Sequence, residues 1–124
     1  MQVFQTPWFE HYAKKARLSD KQLCEAVSRA VRGLVDAQLG GGLIKQRIAR
    51  PGGGRSGGYR TVIALRTGDR AIFLFGFAKS ERDNISDDDL RDLKNTAAIL
   101  LALKTSGIGQ AKKLGQMKEI MCDD

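Results

Sequence analysis

Residues 43–78 read LIKQRIARPGGGRSGGYRTVIALRTGDRAIFLFGFA, and this stretch decides the fold. Its first part, residues 43–50, has the two-residue period of a β-strand, which puts Lys45 and Arg47 on one face. Two further strand patterns follow at residues 59–66 and 70–78, and the last is apolar enough on both faces to lie centrally in a sheet. Because strands joined by hairpins are antiparallel, the stretch predicts a three-stranded meander.

The segment before the meander predicts a strand and two helices. Residues 2–6 alternate weakly, as a short strand does. A helix then begins at Pro7, since proline suits the first helical turn. A serine and a glutamine three residues apart form a capping box at Ser19 for a second helix, whose apolar stripe extends to Leu34. In this interpretation three successive glycines from Gly40 end the second helix.

The segment after the meander predicts two more helices. Ser86 caps a helix that runs to about residue 104, and a short final helix covers residues 110–121. The prediction is a small α+β fold with an antiparallel twisted sheet of about four strands, in the order β-α-α-β-β-β-α, and with the helices on one face of the sheet. Residues 1–104 would form the main body, and residues 105–124 would be a helical extension of the same domain.

The positive charge of the chain is concentrated around the meander. Residues 45–82 hold nine lysines and arginines against two acids, an excess equal to the formal net charge of +7 of the whole chain. A surface that only keeps a protein in solution usually mixes both signs of charge. The concentration of cations therefore favours binding to a polyanion such as a nucleic acid.

Other features of the sequence limit the class of protein. No apolar run approaches the ~20 residues of a membrane span, and the N-terminus lacks the pattern of a signal peptide. Cys24 and Cys122 lie far apart without metal-binding spacing, so we expect two reduced thiols in a cytoplasmic protein. We expect no metal or other cofactor, since the single histidine and the acids form no ligand pattern.

The glycine-rich loop at residues 52–57 matches the GxGxxG pattern of dinucleotide-binding proteins letter for letter. That pattern needs a following helix whose N-terminus faces the pyrophosphate, whereas here a strand follows. The sequence therefore argues against a nucleotide site. The loop either serves as a flexible connection or lets a phosphate backbone come close to Arg55.

Few aromatic residues are available to stack on nucleic-acid bases. Most are predicted to belong to the hydrophobic core: Phe73, Phe75 and Phe77 on the third meander strand, and Trp8, Phe9 and Tyr12 on the first helix. Tyr59 lies between the glycine loop and Arg60, so two interpretations stay open. It is either a half-buried strand residue or a contact to RNA.

A cluster of cations can cleave RNA, because the adjacent 2′-hydroxyl group attacks its own phosphate. The enzyme must remove the proton of that hydroxyl, donate one to the leaving 5′-oxygen and stabilise the pentacoordinate dianion. Arginines suit the last task through permanently charged, bidentate contacts. Neighbouring cations favour the neutral form of a lysine, and Lys45 fits this description best. DNA lacks the 2′-hydroxyl and could only be bound.

Three segments in order carry a family resemblance: GGLIKQR at residues 41–47, GYR at 58–60 and KSER at 79–82. Together with the predicted order of strands and helices over residues 1–104, they resemble the RelE/HigB-type toxins of bacterial toxin–antitoxin systems. The resemblance implies a RelE-like fold and a ribosome-dependent mRNA endonuclease. It also implies two partners, namely the ribosome with its mRNA and an antitoxin, of helix-turn-helix type, encoded beside the toxin.

The resemblance further implies roles for individual residues. Lys45 and Arg47 match two basic residues on the first meander strand, and Lys45 is the expected general base because arginine accepts a proton poorly. Arg60 matches the phosphate-binding arginine of the family. Arg82 matches the arginine that stabilises the leaving oxygen. The predicted catalytic residues are Lys45, Arg47, Arg60 and Arg82.

The match departs from the family at one place. Several members have a tyrosine about five residues beyond the last arginine, where this chain has Ser86. Either Tyr59 takes its place or activation of the 2′-hydroxyl is weaker. Further contacts to RNA are predicted for four residues: Arg50, Arg55, Tyr59 and Lys79.

Two other functions remain open. The cationic face could bind RNA or an acidic protein without cleaving anything. Sister proteins of the same fold act on DNA gyrase, but that group is thought to lack the nuclease residues, so the four predicted catalytic residues argue against it here.

Overall fold

The computed structural model describes residues 1–50 and 57–122. Along the chain these form the elements β1 (Gln2–Gln5), α1 (Pro7–Ala16), α2 (Asp20–Val31), β2 (Ala37–Gly40), β3 (Leu43–Ile48), β4 (Tyr59–Arg66), β5 (Arg70–Ala78), α3 (Asp87–Ala102), α4 (Thr105–Lys113) and β6 (Lys118–Ile120). Residues 51–56 lie outside the described residues, and with them Arg55 and the predicted glycine loop up to its last residue, Gly57. None of the described helices is long and apolar enough to cross a membrane.

The described strands form one mixed sheet of six strands in the order β2-β3-β4-β5-β1-β6. The predicted meander β3-β4-β5 is confirmed as antiparallel. Strand β1 lies beside it but parallel to β5, so the prediction that the whole sheet is antiparallel is wrong. The α+β class is confirmed. The expected sheet of about four strands is extended at its two edges by β2 and β6, which the sequence pattern did not reveal.

Strand β2 lies where the sequence predicted the end of a helix. Helix α2 ends at Val31, and Gly33 follows with a φ of 86°, a left-handed conformation that glycine adopts without strain. Leu34, predicted on the buried stripe of the helix, is 58% exposed. The helical spacing of apolar residues continues in the sequence beyond Val31, where the helix ends. The predicted helix was therefore too long.

The helices cover both faces of the sheet, whereas the sequence led us to expect one. On the first face α1 and α2 bury Phe9 and Leu23 against strand residues such as Phe73. On the second face α3 and α4 bury Leu101 and Ile108 against a separate set of strand residues. This arrangement follows from the meander itself, because central strands that are apolar on both faces require cover on both.

The C-terminal segment differs from its prediction. A helix was expected over residues 110–121, but α4 ends at Lys113 and the chain then turns at Gly115, whose φ is 72°. Strand β6 follows and pairs with β1 in antiparallel register. The second half of the predicted helix is therefore wrong, because edge pairing with β1 overrides the local helical pattern. The boundary at residue 104 stays a prediction.

The expectation of two reduced thiols is also wrong in this structure. Cys24 on α2 and Cys122 just beyond β6 form a disulfide, with their Cα atoms 5.7 Å apart. The pairing of β6 with β1 brings the C-terminal residues back to α2, and a sequence separation of 98 residues conceals this proximity.

Gly76 on β5 allows α1 to approach the sheet closely. A Cβ atom at this position would lie 2.6 Å from Cε2 of Tyr12 and 3.3 Å from Cε1 of Phe9. We expect Gly76→Ala to lower the free energy of unfolding by about 1–3 kcal/mol, the usual effect of overpacking a core. Urea unfolding followed by circular dichroism measures this change.

Gly109 on α4 provides the matched control. A Cβ atom there would have no neighbour within 4 Å. We expect Gly109→Ala to leave stability unchanged or raise it by up to about 1 kcal/mol, because alanine favours a helix interior over glycine. Equal unfolding midpoints for the two variants would show that α1 does not pack against β5 as described.

Candidate functional site

The register of β3 and β4 brings three predicted site residues together. Arg47 lies directly opposite Arg60, and Lys45 lies opposite Val62, one pair along the same face. Side chains of directly opposed residues have Cβ atoms about 4.5–5.5 Å apart. We refer to Lys45, Arg47, Arg60 and the neighbouring Arg82 as the cation row.

The cation row lies on the second face of the sheet, beyond the part that α3 covers. Leu43 and Val62 on this face belong to the core under α3, whereas Lys45 and Arg60 are half-buried and Arg47 is exposed. Every second residue of a strand shares a face, and on this face β3 carries Leu43, then Lys45, then Arg47. The face therefore changes from apolar to cationic along the strand. The row is therefore held by a rigid sheet and is open to solvent.

Arg82 joins the row from the loop between β5 and α3. Its guanidinium carbon lies 5.7 Å from the ring centre of Phe75 and 5.8 Å from that of Phe77. These distances permit cation–π attraction. Phe77 is the register partner of Arg60 on β5, so Arg82 lies on the side of Arg60 away from Arg47.

Two polar contacts hold the part of the row on β3, and neither pairs the charged group of Lys45 or Arg47 with an acid. The Nζ atom of Lys45 lies 3.5 Å from Oδ1 of Asn84, and the backbone N–H of Arg47 donates to Oδ2 of Asp36 at 2.6 Å. Sequence reasoning missed both Asn84 and Asp36. Each comes from a loop that only the folded chain brings to β3, so no local pattern could have revealed it.

The cations of the charged stretch divide into two groups. Among the described residues Lys45, Arg47 and Arg60 form no ion pair, and Arg82 is paired with Asp89 at 3.5 Å. At the opposite end of the meander the two arginines flanking the hairpin turn pair with Asp69 and contact carbonyl groups at the C-terminal end of α3. These two arginines, Arg66 and Arg70, stabilise the fold, because positive charge is favourable at the C-terminal end of a helix.

The remaining predicted contacts to RNA lie outside the row. Lys79 follows β5 and pairs with Asp83 at 3.8 Å, at the rim of the sheet. Tyr59 is the register partner of Ile48 and Ala78, and it contacts Tyr12 of α1 on the first face. Arg50 lies on the same side as Tyr59, and Arg55 is outside the described residues. Tyr59 is thus half-buried on the face opposite the cation row.

A cavity of about 470 Å³ adjoins the row at the end of the sheet. Arg82 lines it together with aromatic residues of α1, β4 and β5, which are Trp8, Tyr12, Tyr59, Phe75 and Phe77. We call it the aromatic cavity. The hydroxyl group of Tyr12 is buried and has no hydrogen-bond partner among the described residues. Burial raises the pKa of Tyr12 to about 12, so this hydroxyl is neutral at physiological pH.

Comparison with known families decides what kind of protein carries this site. The family model described as the RelE toxin of the RelE/RelB toxin–antitoxin system matches residues 1–120. The chain belongs to the RelE toxin family. It is the toxin of a toxin–antitoxin system, its partner is an antitoxin, and toxins of this family are generally endoribonucleases. No curated protein matches the chain.

The predicted helix cap at Ser86 is confirmed, and it stands where a catalytic tyrosine was expected by the family resemblance. Ser86, at the place where several family members were expected to have a tyrosine, is the N-cap of α3, and its hydroxyl accepts from the backbone N–H of Asp89 at 3.1 Å. Both tyrosines of the chain, Tyr12 and Tyr59, lie on the side of α1. Within the described part of the chain, Lys45, Arg47 and Arg60 therefore share their face of the sheet with no tyrosine, and the two tyrosines approach the row only at Arg82, across the aromatic cavity.

Proposed function

We propose that the toxin is an endoribonuclease that cleaves mRNA on the ribosome. The observation that carries the proposal is the direct opposition of Arg47 and Arg60 on a rigid sheet, with Lys45 one pair away and no ion pair among the described residues. Like charges placed opposite each other on neighbouring strands destabilise a sheet. Such an arrangement makes physical sense when an anion binds between them.

The proposed reaction uses groups that the substrate itself supplies. The 2′-oxygen attacks the adjacent phosphorus, the bond from phosphorus to the 5′-oxygen breaks, and the products are a 2′,3′-cyclic phosphate and a 5′-hydroxyl end. Arg47 and Arg60 hold the phosphate and stabilise the dianion through charge-assisted hydrogen bonds. The amine of Lys45 accepts the proton of the 2′-hydroxyl.

Arg82 completes the proposed reaction at the leaving group. Its guanidinium donates a hydrogen bond to the 5′-oxygen as negative charge develops there, and the departing oxygen takes its proton from a solvent water, which can reach the open site. Asp89 and the rings of Phe75 and Phe77 hold the side chain beside the row. The site is an open face, so we propose that the ribosome supplies the in-line orientation of the mRNA that the toxin alone does not enforce.

Expression of the toxin with and without its antitoxin tests this proposal. We expect growth arrest and new mRNA 5′ ends carrying a hydroxyl group when the toxin is expressed alone, and neither when the antitoxin is present. Arg91 on α3 is an exposed cation outside the row, so Arg91→Ala is the matched control and should behave like the unchanged toxin. Intact messages under strong expression of the folded toxin would contradict the proposal.

One observation favours a second candidate function, binding of RNA without cleavage. Among the described residues no tyrosine lies on the face of Lys45, Arg47 and Arg60, and Ser86 is occupied as a helix cap. A non-catalytic binder would show affinity that falls with salt by roughly a decade per decade of salt for each phosphate contacted, with no new 5′ ends. Mapping of 5′ ends therefore separates the two functions.

A further inference from the structure

We infer that the aromatic cavity binds one base of the RNA, next to the phosphate held by the cation row. This inference rests on the proposed function, since it names a second part of the same substrate. Trp8 and Tyr12 were predicted to be core residues, but Trp8 is 50% exposed where it lines the cavity. A large aromatic side chain left half exposed in a concave site is typical of a ligand-binding surface.

The cavity exists because β1 is shorter than its neighbour β5. Their pairing ends at Gln5 and Phe73, and Thr6 then turns the chain into α1. Beyond Phe73 the edge of β5 has α1 beside it in place of a strand. Gly76 has no side chain, so the ring of Tyr12 can lie against the backbone of β5 and form one wall.

The walls have the geometry of stacked aromatic rings. Trp8 stacks on Tyr12 with ring centres 5.5 Å apart and on Phe75 with ring centres 4.8 Å apart. A bulge in the pairing of β4 with β5 makes this possible, since the register shifts between Val62 and Ile63. The shift turns Phe75 away from the face that Phe73 occupies. The resulting surface offers π-faces and ring edges, which every base can use.

The aromatic rings favour a base in the cavity, whose lining also carries three cations and one acid: Lys15, Arg50, Arg82 and Glu81. Arg82 lines both the cavity and the cation row, so a nucleotide whose phosphate lies on the row can place its base in the cavity. Glu81 is the acid among these residues, and its carboxylate can accept a hydrogen bond from the amino group of a base.

Trp8 is the only tryptophan of the chain, so it reports on its own site. The test compares two short RNAs. Both carry a 2′-deoxy sugar at the cleavage position, as mapped from the 5′ ends, to prevent reaction. The second RNA lacks one base next to that position. We expect the complete RNA to quench the fluorescence of Trp8. The abasic RNA should leave the fluorescence unchanged and bind about 5- to 100-fold more weakly, as expected when one stacked base is removed.

Variants of Trp8 test the same inference by affinity. Trp8→Leu keeps an apolar side chain but removes the ring, and it should weaken binding of the complete RNA by about 5- to 100-fold while leaving binding of the abasic RNA unchanged. Trp8→Phe should restore most of the affinity. His11→Ala, at an exposed position of α1 outside the cavity, should bind both RNAs normally.

Each outcome separates the inference from the proposed function. If Trp8→Leu binds both RNAs normally while the unchanged toxin still cleaves mRNA, the cavity is not a base site and the proposed function stands. If Trp8→Leu instead escapes neutralisation by the antitoxin with RNA affinity intact, the cavity binds the partner protein and the inference is overturned. If the toxin cleaves nothing but the abasic RNA still binds more weakly, only the catalytic proposal fails.

Discussion

Lys45→Met is expected to lower the rate of mRNA cleavage by roughly 10²–10⁴-fold, the usual contribution of a general base. Methionine keeps the length and the apolar part of the lysine side chain but cannot accept the proton of the 2′-hydroxyl. The hydrogen bond from Lys45 to Asn84 is long, at 3.5 Å, and lies near the surface, so the fold depends little on it. We therefore expect normal folding by circular dichroism and a large fall in single-turnover cleavage on ribosomes programmed with mRNA.

The variant Lys45→Arg separates a general base from a simple phosphate contact. Arginine keeps the positive charge but remains protonated at every accessible pH. If Lys45 is the base, Lys45→Arg is as inactive as Lys45→Met. Recovery of most of the activity in Lys45→Arg would instead assign Lys45 to phosphate binding and leave the base elsewhere.

Much of the cation row could be predicted from the sequence, because two simple rules determine it. The two-residue period of a strand puts Lys45 and Arg47 on one face, and a hairpin connection makes the next strand antiparallel. Arg60 at the start of that strand must then lie near the end of the first, as the register shows. The roles of these residues in catalysis stay predictions until the variants are measured.

The same rules also exclude Tyr59 from the row. Because neighbouring residues of a strand point to opposite faces, a face that contains Arg60 cannot contain Tyr59. Tyr59 was considered a contact to RNA because it is next to Arg60 along the chain, although this adjacency places the two side chains on opposite faces of β4. In the structure Tyr59 packs against Tyr12 on the first face.

Interactions between distant segments could not be predicted in the same way. Gln46 shares its face of β3 with Ile44 and Ile48, so the strand pattern gives no reason for a polar side chain there. The structure shows it fully buried, donating to the backbone carbonyls of Ala26 and Leu34 and accepting from the backbone N–H of Asp36. It satisfies polar groups where the chain leaves α2 and approaches β2.

This hydrogen bonding also explains why β2 was missed. The segment between α2 and β2 is held by contacts with a strand that comes later in the sequence, from the side chain of Gln46 and the backbone of Arg47. Local propensity favoured a longer helix, and these tertiary contacts stabilise the alternative conformation. The pairing of β6 with β1 and the disulfide of Cys24 with Cys122 depend on long-range contacts in the same sense.

Arg60→Ala is expected to lower the rate of mRNA cleavage by roughly 10²–10³-fold, as removal of one preorganised donor to a transition-state oxyanion does. The measurement is again single-turnover cleavage on programmed ribosomes, with Arg91→Ala as the control for removal of one surface charge. Arg60→Lys should recover part of the rate, since a lysine supplies charge without the bidentate geometry.

Stability provides a second and independent readout for Arg60. Among the described residues the side chain of Arg60 makes one hydrogen bond, a 3.4 Å contact from Nη1 to the carbonyl oxygen of Gly57, so its loss should cost little stability. Its cross-strand partner is Arg47, and like charges directly opposite each other destabilise a sheet. The urea midpoint of Arg60→Ala should therefore equal or exceed that of the unchanged toxin, with any gain shrinking as salt screens the repulsion. A residue that lowers stability and yet is required for cleavage is held in place for its chemistry, whereas a fall in the midpoint of Arg60→Ala would show that Arg60 serves the fold.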